Sequence, residues 1–197
     1  MAYVISASLE QDPIPYPSCD VREDLAPGQT VVIWNDIDSE PIPPEWQPQS
    51  VLHADYVPEA NYTPDNPDIS YISGEAPCVS VAIRDMIEAL EPNVHQFFPV
   101  DIYGVDGVIR EPRRYFLNVC QRVDAIVEGN YSVLDDGERL YYASSLNPLK
   151  IRRQDVSHLH LWRDKHLSGG IFVSDALYRQ IADAGYGAFD LGIAAEV

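Results

Sequence analysis

Two histidines separated by a single residue, His158-Leu159-His160, are the feature of this 197-residue chain best suited to chemistry. Residues i and i+2 of a strand point to one face, and such pairs bind metal ions, which would suit a small metal-dependent hydrolase. A metal centre needs further ligands, and the chain offers His53, His95 and His166 only if the fold gathers them. With Leu159, Leu161 and Trp162 interleaved, a strand carrying two partly buried imidazoles is the plainer reading.

The stretch NVHQFFPVDI, Asn93 to Ile102, invites an acid-base reading of His95 with Asp101, because a carboxylate can orient an imidazole. Six residues of regular strand would separate the two by roughly 20 Å, too far for a hydrogen bond. The stretch is therefore expected to be a strand with Phe97, Val100 and Ile102 in the core. No GxSxG, GxxxxGK[ST] or GxGxxG occurs, so neither a serine nucleophile nor a nucleotide site has support. Ser80 and Ser174 read instead as helix N-caps.

Acidic clusters at Asp36-Ile37-Asp38-Ser39-Glu40 and Asp135-Asp136-Gly137-Glu138 lack the spacing of a calcium loop. They read as solvated turns or as an acidic contact patch. Arginine outnumbers lysine 11 to 2, and the groups Arg110/Arg113/Arg114 and Arg152/Arg153 are expected to bridge to the chain's own carboxylates. Cys19, Cys78 and Cys120 have neither CxxC spacing nor even number, and read as reduced, mostly buried thiols.

The elements that must hold these residues divide where composition does. Of 16 prolines, 11 precede residue 76, in segments such as DPIPYPSCD and SEPIPPEWQP that cannot be helix interiors or central strands. Short strands are expected near Ala2 to Ser6 and Thr30 to Trp34, and Trp34, Trp46, Tyr56, Tyr62 and Tyr71 give this region the aromatic anchors that disordered acidic tails lack. After Cys78 the elements become regular. Ile83, Met86, Ile87 and Leu90 follow helical spacing behind Ser80, with Pro92 as the stop. Strands are expected at Tyr115 to Val119, on both sides of the Asp135-Asp136-Gly137 turn, in SHLHLWR and at Ile171 to Val173. A second helix opens at Ser174 and stops near Gly185, followed by a last extended segment. The two helix starts share the pattern V-S-x-A-[IL]-x-x-x-I at an offset of 94 residues, which marks two comparable strand-helix corners. Together these predict an α+β fold, a mostly antiparallel sheet with two main helices and a loop-rich, Pro-rich acidic N-terminal half. The expected division is an acidic subdomain at 1–75 packed on a core at 76–197.

A net charge of −18 repels nucleic acid and anionic membranes and attracts basic partners. It is uneven: residues 1–75 hold 14 Asp and Glu against the single Arg22. No run approaches a membrane span, and the chain reads as soluble and cytoplasmic, with no cofactor.

The succession PCVSVAIRDMIEAL, HQFFPVDI, RRYFLNVCQRVDAIVEGNYS, LHLWR and GGIFVSDALYRQIADAG, over about residues 70 to 190, resembles the Imm11 immunity protein family of polymorphic toxin systems. It carries the V-S helix starts, the FFPV strand, the Y-x-L-N-V strand followed by V-D-A-I, and the LFR-like strand. Val127 stands where members often have an aspartate, and Trp162 replaces the phenylalanine of LFR. The resemblance implies a non-enzymatic antidote that binds a cognate toxin delivered between bacteria, and it transfers no catalytic residues. Many such toxins are nucleases with basic clefts, which an acidic inhibitor can approach fast and fill with carboxylates. The expected contacts are Trp46, Tyr56 and Tyr62, flanked by Asp36, Asp38, Glu40 and Asp55.

Overall fold

In the computed structural model, the residues described are 1–6, 18–21, 41–44, 47, 52–57, 69–72, 76–104, 106–109, 113–135, 137–142, 149–167, 170–185 and 191–197. The chain divides into two units. One is Gln11–Cys120, and the other joins Met1–Glu10 to Gln121–Val197. Strand β1, Ala2–Ser6, opens the second of these.

The Gln11–Cys120 unit holds β2 (Ser18–Val21), β3 (Leu52–Val57), β4 (Ile69–Ile72), β5 (Ala76–Ser80), β6 (Gln96–Tyr103) and β7 (Arg114–Asn118). They close into a barrel in the order β2-β3-β6-β7-β5-β4, with β4 running parallel to β2 at the seam. The expected boundary at residues 75 and 76 falls inside this barrel, between β4 and β5, which pair antiparallel with Ile72 opposite Ala76.

Alternation decides which side chains of β6 fill the core. Phe98, Val100 and Ile102 are buried and Phe97 is only half-buried, so Phe98 takes the place expected of Phe97. Phe98 lies opposite Phe116 on β7, and their rings stack with centroids 6.0 Å apart, a cross-strand pair that contributes about 1 kcal/mol beyond area burial. Pro99 faces Tyr115 on β7 and comes just before the first register pair with β3, Leu52 opposite Val100.

Helix α1, Val81–Leu90, follows β5 directly. Ser80 caps it by accepting the Ile83 amide, and Ile83 and Ile87 are its buried residues, as helical spacing requires.

The other unit holds β8 (Arg122–Val123), β9 (Ile126–Glu128), β10 (Asn130–Val133), β11 (Arg139–Tyr142), β12 (Lys150–Ile151), α2 (Arg153–Val156), β13 (Leu161–Asp164), β14 (Gly170–Ser174), α3 (Asp175–Asp183) and β15 (Leu191–Glu196). Its sheet runs β8-β13-β14-β1-β15-β12-β9, and β10 pairs with β11 as a separate hairpin. Strand β1 is central here, antiparallel to both β14 and β15. The core contains Val4, Ala125, Ile126, Leu149, Ile151, Trp162 and Phe172, with the last two stacked at 5.3 Å and opposite one another in register.

The second V-S corner repeats the first. Ser174 caps α3 through the Leu177 amide, and its backbone angles of −69° and 161° nearly equal the −68° and 162° of Ser80. The α+β class with two main helices therefore holds. The strand expected through SHLHLWR does not: Arg153–Val156 forms a helical turn, Ser157 and His158 continue it as a turn, and the strand begins only at Leu161. The Arg152–Asp155 bridge and the buried pair Val156 and Leu159, three apart, favour the helical path. The strand expected at Thr30 to Trp34 lies outside the described residues.

Candidate functional site

Of the residues expected to meet a partner, Asp36, Asp38, Glu40, Trp46 and Tyr62 lie outside the described residues. Asp55 and Tyr56 are on β3, where Asp55 is opposite Asp20 of β2 and Tyr103 of β6, and Tyr56 is opposite Cys19. What the structure adds is the anchor of the acidic segment. Ile42 is buried at 7% exposure between the exposed Pro41 and Pro43. Its amide donates to Gln96 Oε1 at 2.7 Å and its carbonyl accepts Gln96 Nε2 at 3.0 Å. The side chain of Gln96 thus binds both backbone groups of one residue, as a neighbouring strand would. The same Oε1 accepts Asn118 Nδ2 at 3.0 Å, and Gln47 Nε2 donates to the Ile42 carbonyl at 2.8 Å. Glu40 and Trp46 flank this clamp in sequence.

His95 lies beside that clamp and does not pair with Asp101. Its Nε2 is 2.9 Å from Glu91 Oε2, and its Nδ1 accepts the Cys120 amide at 3.2 Å. An imidazole that accepts at Nδ1 carries its proton on Nε2, so Nε2 donates to the Glu91 carboxylate. Both ring nitrogens are engaged, which leaves no lone pair for a metal or a substrate proton. Asp101 instead accepts Arg113 Nε at 2.7 Å. Cys120 is half-buried, and burial pushes its thiol pKa up, the reverse of what a nucleophile needs.

The histidine pair is also separated. His158 is exposed in the turn after α2, whereas the Nδ1 of His160 is 2.9 Å from Oγ of Ser174, the cap of α3. Among the described residues no group of three or more His, Cys, Asp or Glu side chains is placed to hold a metal ion. The arginine pairs bridge internally: Arg152 to Asp155 at 2.6 Å and Arg153 to Glu196 at 3.7 Å.

A model of the Imm11 immunity protein family matches residues 11–195, nearly the whole chain. The chain belongs to this family. A search of curated proteins finds no match.

In this immunity protein the shared motifs land on the framework. FFPV is in β6, Y-x-L-N-V covers β7, and V-D-A-I runs from β8 into β9. The last is held by Asp164, 4% exposed, whose Oδ2 accepts the amides of Ala125 at 2.7 Å and Ile126 at 3.0 Å, while Oδ1 accepts that of His166 at 2.9 Å. Sequence reasoning missed two polar pairings that fix this framework. The i, i+4 spacing of Glu91 and His95 was a readable signal for one. Nothing local to Gln96 signals that it binds Ile42, 54 residues earlier.

Proposed function

We propose that this immunity protein acts as an antidote that neutralises a cognate bacterial toxin by direct one-to-one binding, without catalysis, cofactor or metal. The observation that carries the reading is the family match over residues 11–195. The hydrogen bonding of both ring nitrogens of His95 and the bridge from Arg152 to Asp155 support it, since these groups are engaged within the fold.

The toxin is a secreted antibacterial effector, of which a nuclease with a basic active cleft best complements a chain of charge −18. The contact residues are Asp36, Asp38, Glu40, Trp46, Asp55, Tyr56 and Tyr62, carried by a segment whose anchor is the Gln96 clamp on Ile42. The protein works in the cytoplasm, binding neither nucleic acid nor membrane, and no described helix is long and apolar enough to cross a membrane.

Co-expression with the toxin domain encoded beside its gene tests this: growth should be rescued. Neutralising Asp36, Asp38 and Glu40 together should slow association about tenfold at low salt. Toxicity undiminished by the wild-type chain contradicts neutralisation. An association rate indifferent to ionic strength contradicts steering by the carboxylates.

A further inference from the structure

Four of the large apolar side chains left in solvent among the described residues fall within residues 127–134. Val127 on β9 and Tyr131, Val133 and Leu134 on the hairpin are 40%, 46%, 63% and 42% exposed. The hairpin that carries three of them has a fixed root. Tyr141, opposite Tyr131 in register, is buried in the core, and its amide donates to the His166 carbonyl. Gly129 is held so close to the core that a Cβ there would run into Leu149 Cδ2. At the other end the turn is closed by the Gly137 amide on the Leu134 carbonyl at 2.9 Å, with Gly137 in the left-handed region at a φ of 86°.

Tyr131 is set in place before any partner arrives. Its ring lies 5.5 Å from that of Tyr141, and the Arg139 guanidinium sits over it at 4.6 Å. Around these apolar groups the exposed acidic residues Glu128, Asp135 and Glu138 outnumber the bases, Arg139 over the Tyr131 ring and Lys150, which bridges to Glu128 at 2.8 Å. An apolar centre containing a fixed aromatic and ringed by charge is the composition of a protein contact surface, and folding gains nothing from leaving it in water.

We propose that the β10–β11 hairpin with Val127 is a second contact surface for the cognate toxin, accepting a face with an apolar pocket rimmed by Lys and Arg. This rests on the neutralisation reading. Charge selects the occupant: two copies of a chain of −18 repel one another, whereas a basic partner is attracted.

The test is the affinity of the toxin domain encoded beside the gene for the wild type, for Val133→Asp/Leu134→Asp and for Tyr131→Ala. The thermal midpoint of each is measured alongside. Both variants should bind at least about 30-fold more weakly at an unchanged midpoint. A photo-cross-linking benzoylphenylalanine in place of Val133 should capture the toxin, which keeps the proposal testable if an aspartate disturbs the hairpin. Binding within about twofold of wild type in the hairpin variants, together with no cross-link, overturns the surface and leaves neutralisation standing. A wild-type dimer that the same variants dissociate overturns it in favour of self-association. Failure of the wild type to bind the toxin at all overturns both.

Discussion

His95 Nε2 lies 2.9 Å from Glu91 Oε2, with both side chains buried, just after the C-terminal end of α1. A carboxylate at a helix C-terminus is placed against the helix dipole, and the imidazole N–H offsets part of that cost. Removing either partner takes a hydrogen bond away from a buried polar group. His95→Ala and Glu91→Ala should each destabilise the chain by about 2–4 kcal/mol in urea unfolding, with Glu91→Gln costing less because it retains an acceptor. Losses below about 0.5 kcal/mol would mean that the pair does not hold the end of α1.

Asp164 makes the corresponding contribution in the other unit. Asp164→Ala strands the amides of Ala125, Ile126 and His166 and should cost about 3 kcal/mol, whereas Asp164→Asn should lose less. Amide exchange at Ala125 and Ile126 reports it locally, and protection equal to wild type in the alanine variant would refute the assignment.

The α1 and α3 corners were legible in sequence because everything that makes them is local. A serine cap, an i, i+3, i+4 apolar face and a stop at Pro92 or Gly185 lie within a dozen residues. The centrality of β1 was not legible, since Ala2–Ser6 reads as a strand but its partners are Ser174–Gly170 and Leu191–Ala194, across nearly the whole chain. Closure of the barrel by β2 and β4 was hidden for the same reason. The His158/His160 reading failed on a different point: a strand period was assigned where Arg152 and Asp155 bridge across a helical turn. Phe97 was the wrong choice on alternation alone, since Val100 and Ile102 share a face with Phe98 and not with Phe97. His95 was correctly denied a partnership with Asp101, yet its actual partner stood one helical turn earlier.

Close approach at Gly129 predicts a coupled pair. Gly129→Ala should cost about 1–3 kcal/mol by pushing on Leu149, and in a Leu149→Val background the added cost should shrink. Strict additivity in the double-mutant cycle would show that the two positions do not touch.

Burial raises the Cys120 pKa above its model-compound value of 9.0. A raised folded value means the native state holds the proton more tightly, so the stabilisation is complete below about pH 9 and is lost as pH climbs through the folded value. Cys120 should be alkylated by iodoacetamide at pH 8 more slowly in the native than in the denatured chain. Equal rates would contradict a buried, protonated thiol.

Direct binding is most simply measured by titrating the purified chain with the toxin domain encoded beside its gene, in a calorimeter. A one-to-one complex with a dissociation constant on the order of nanomolar is expected, weakening as salt rises. Absence of any heat or complex at tens of micromolar, from a toxin domain shown to be folded and active, would contradict neutralisation by binding.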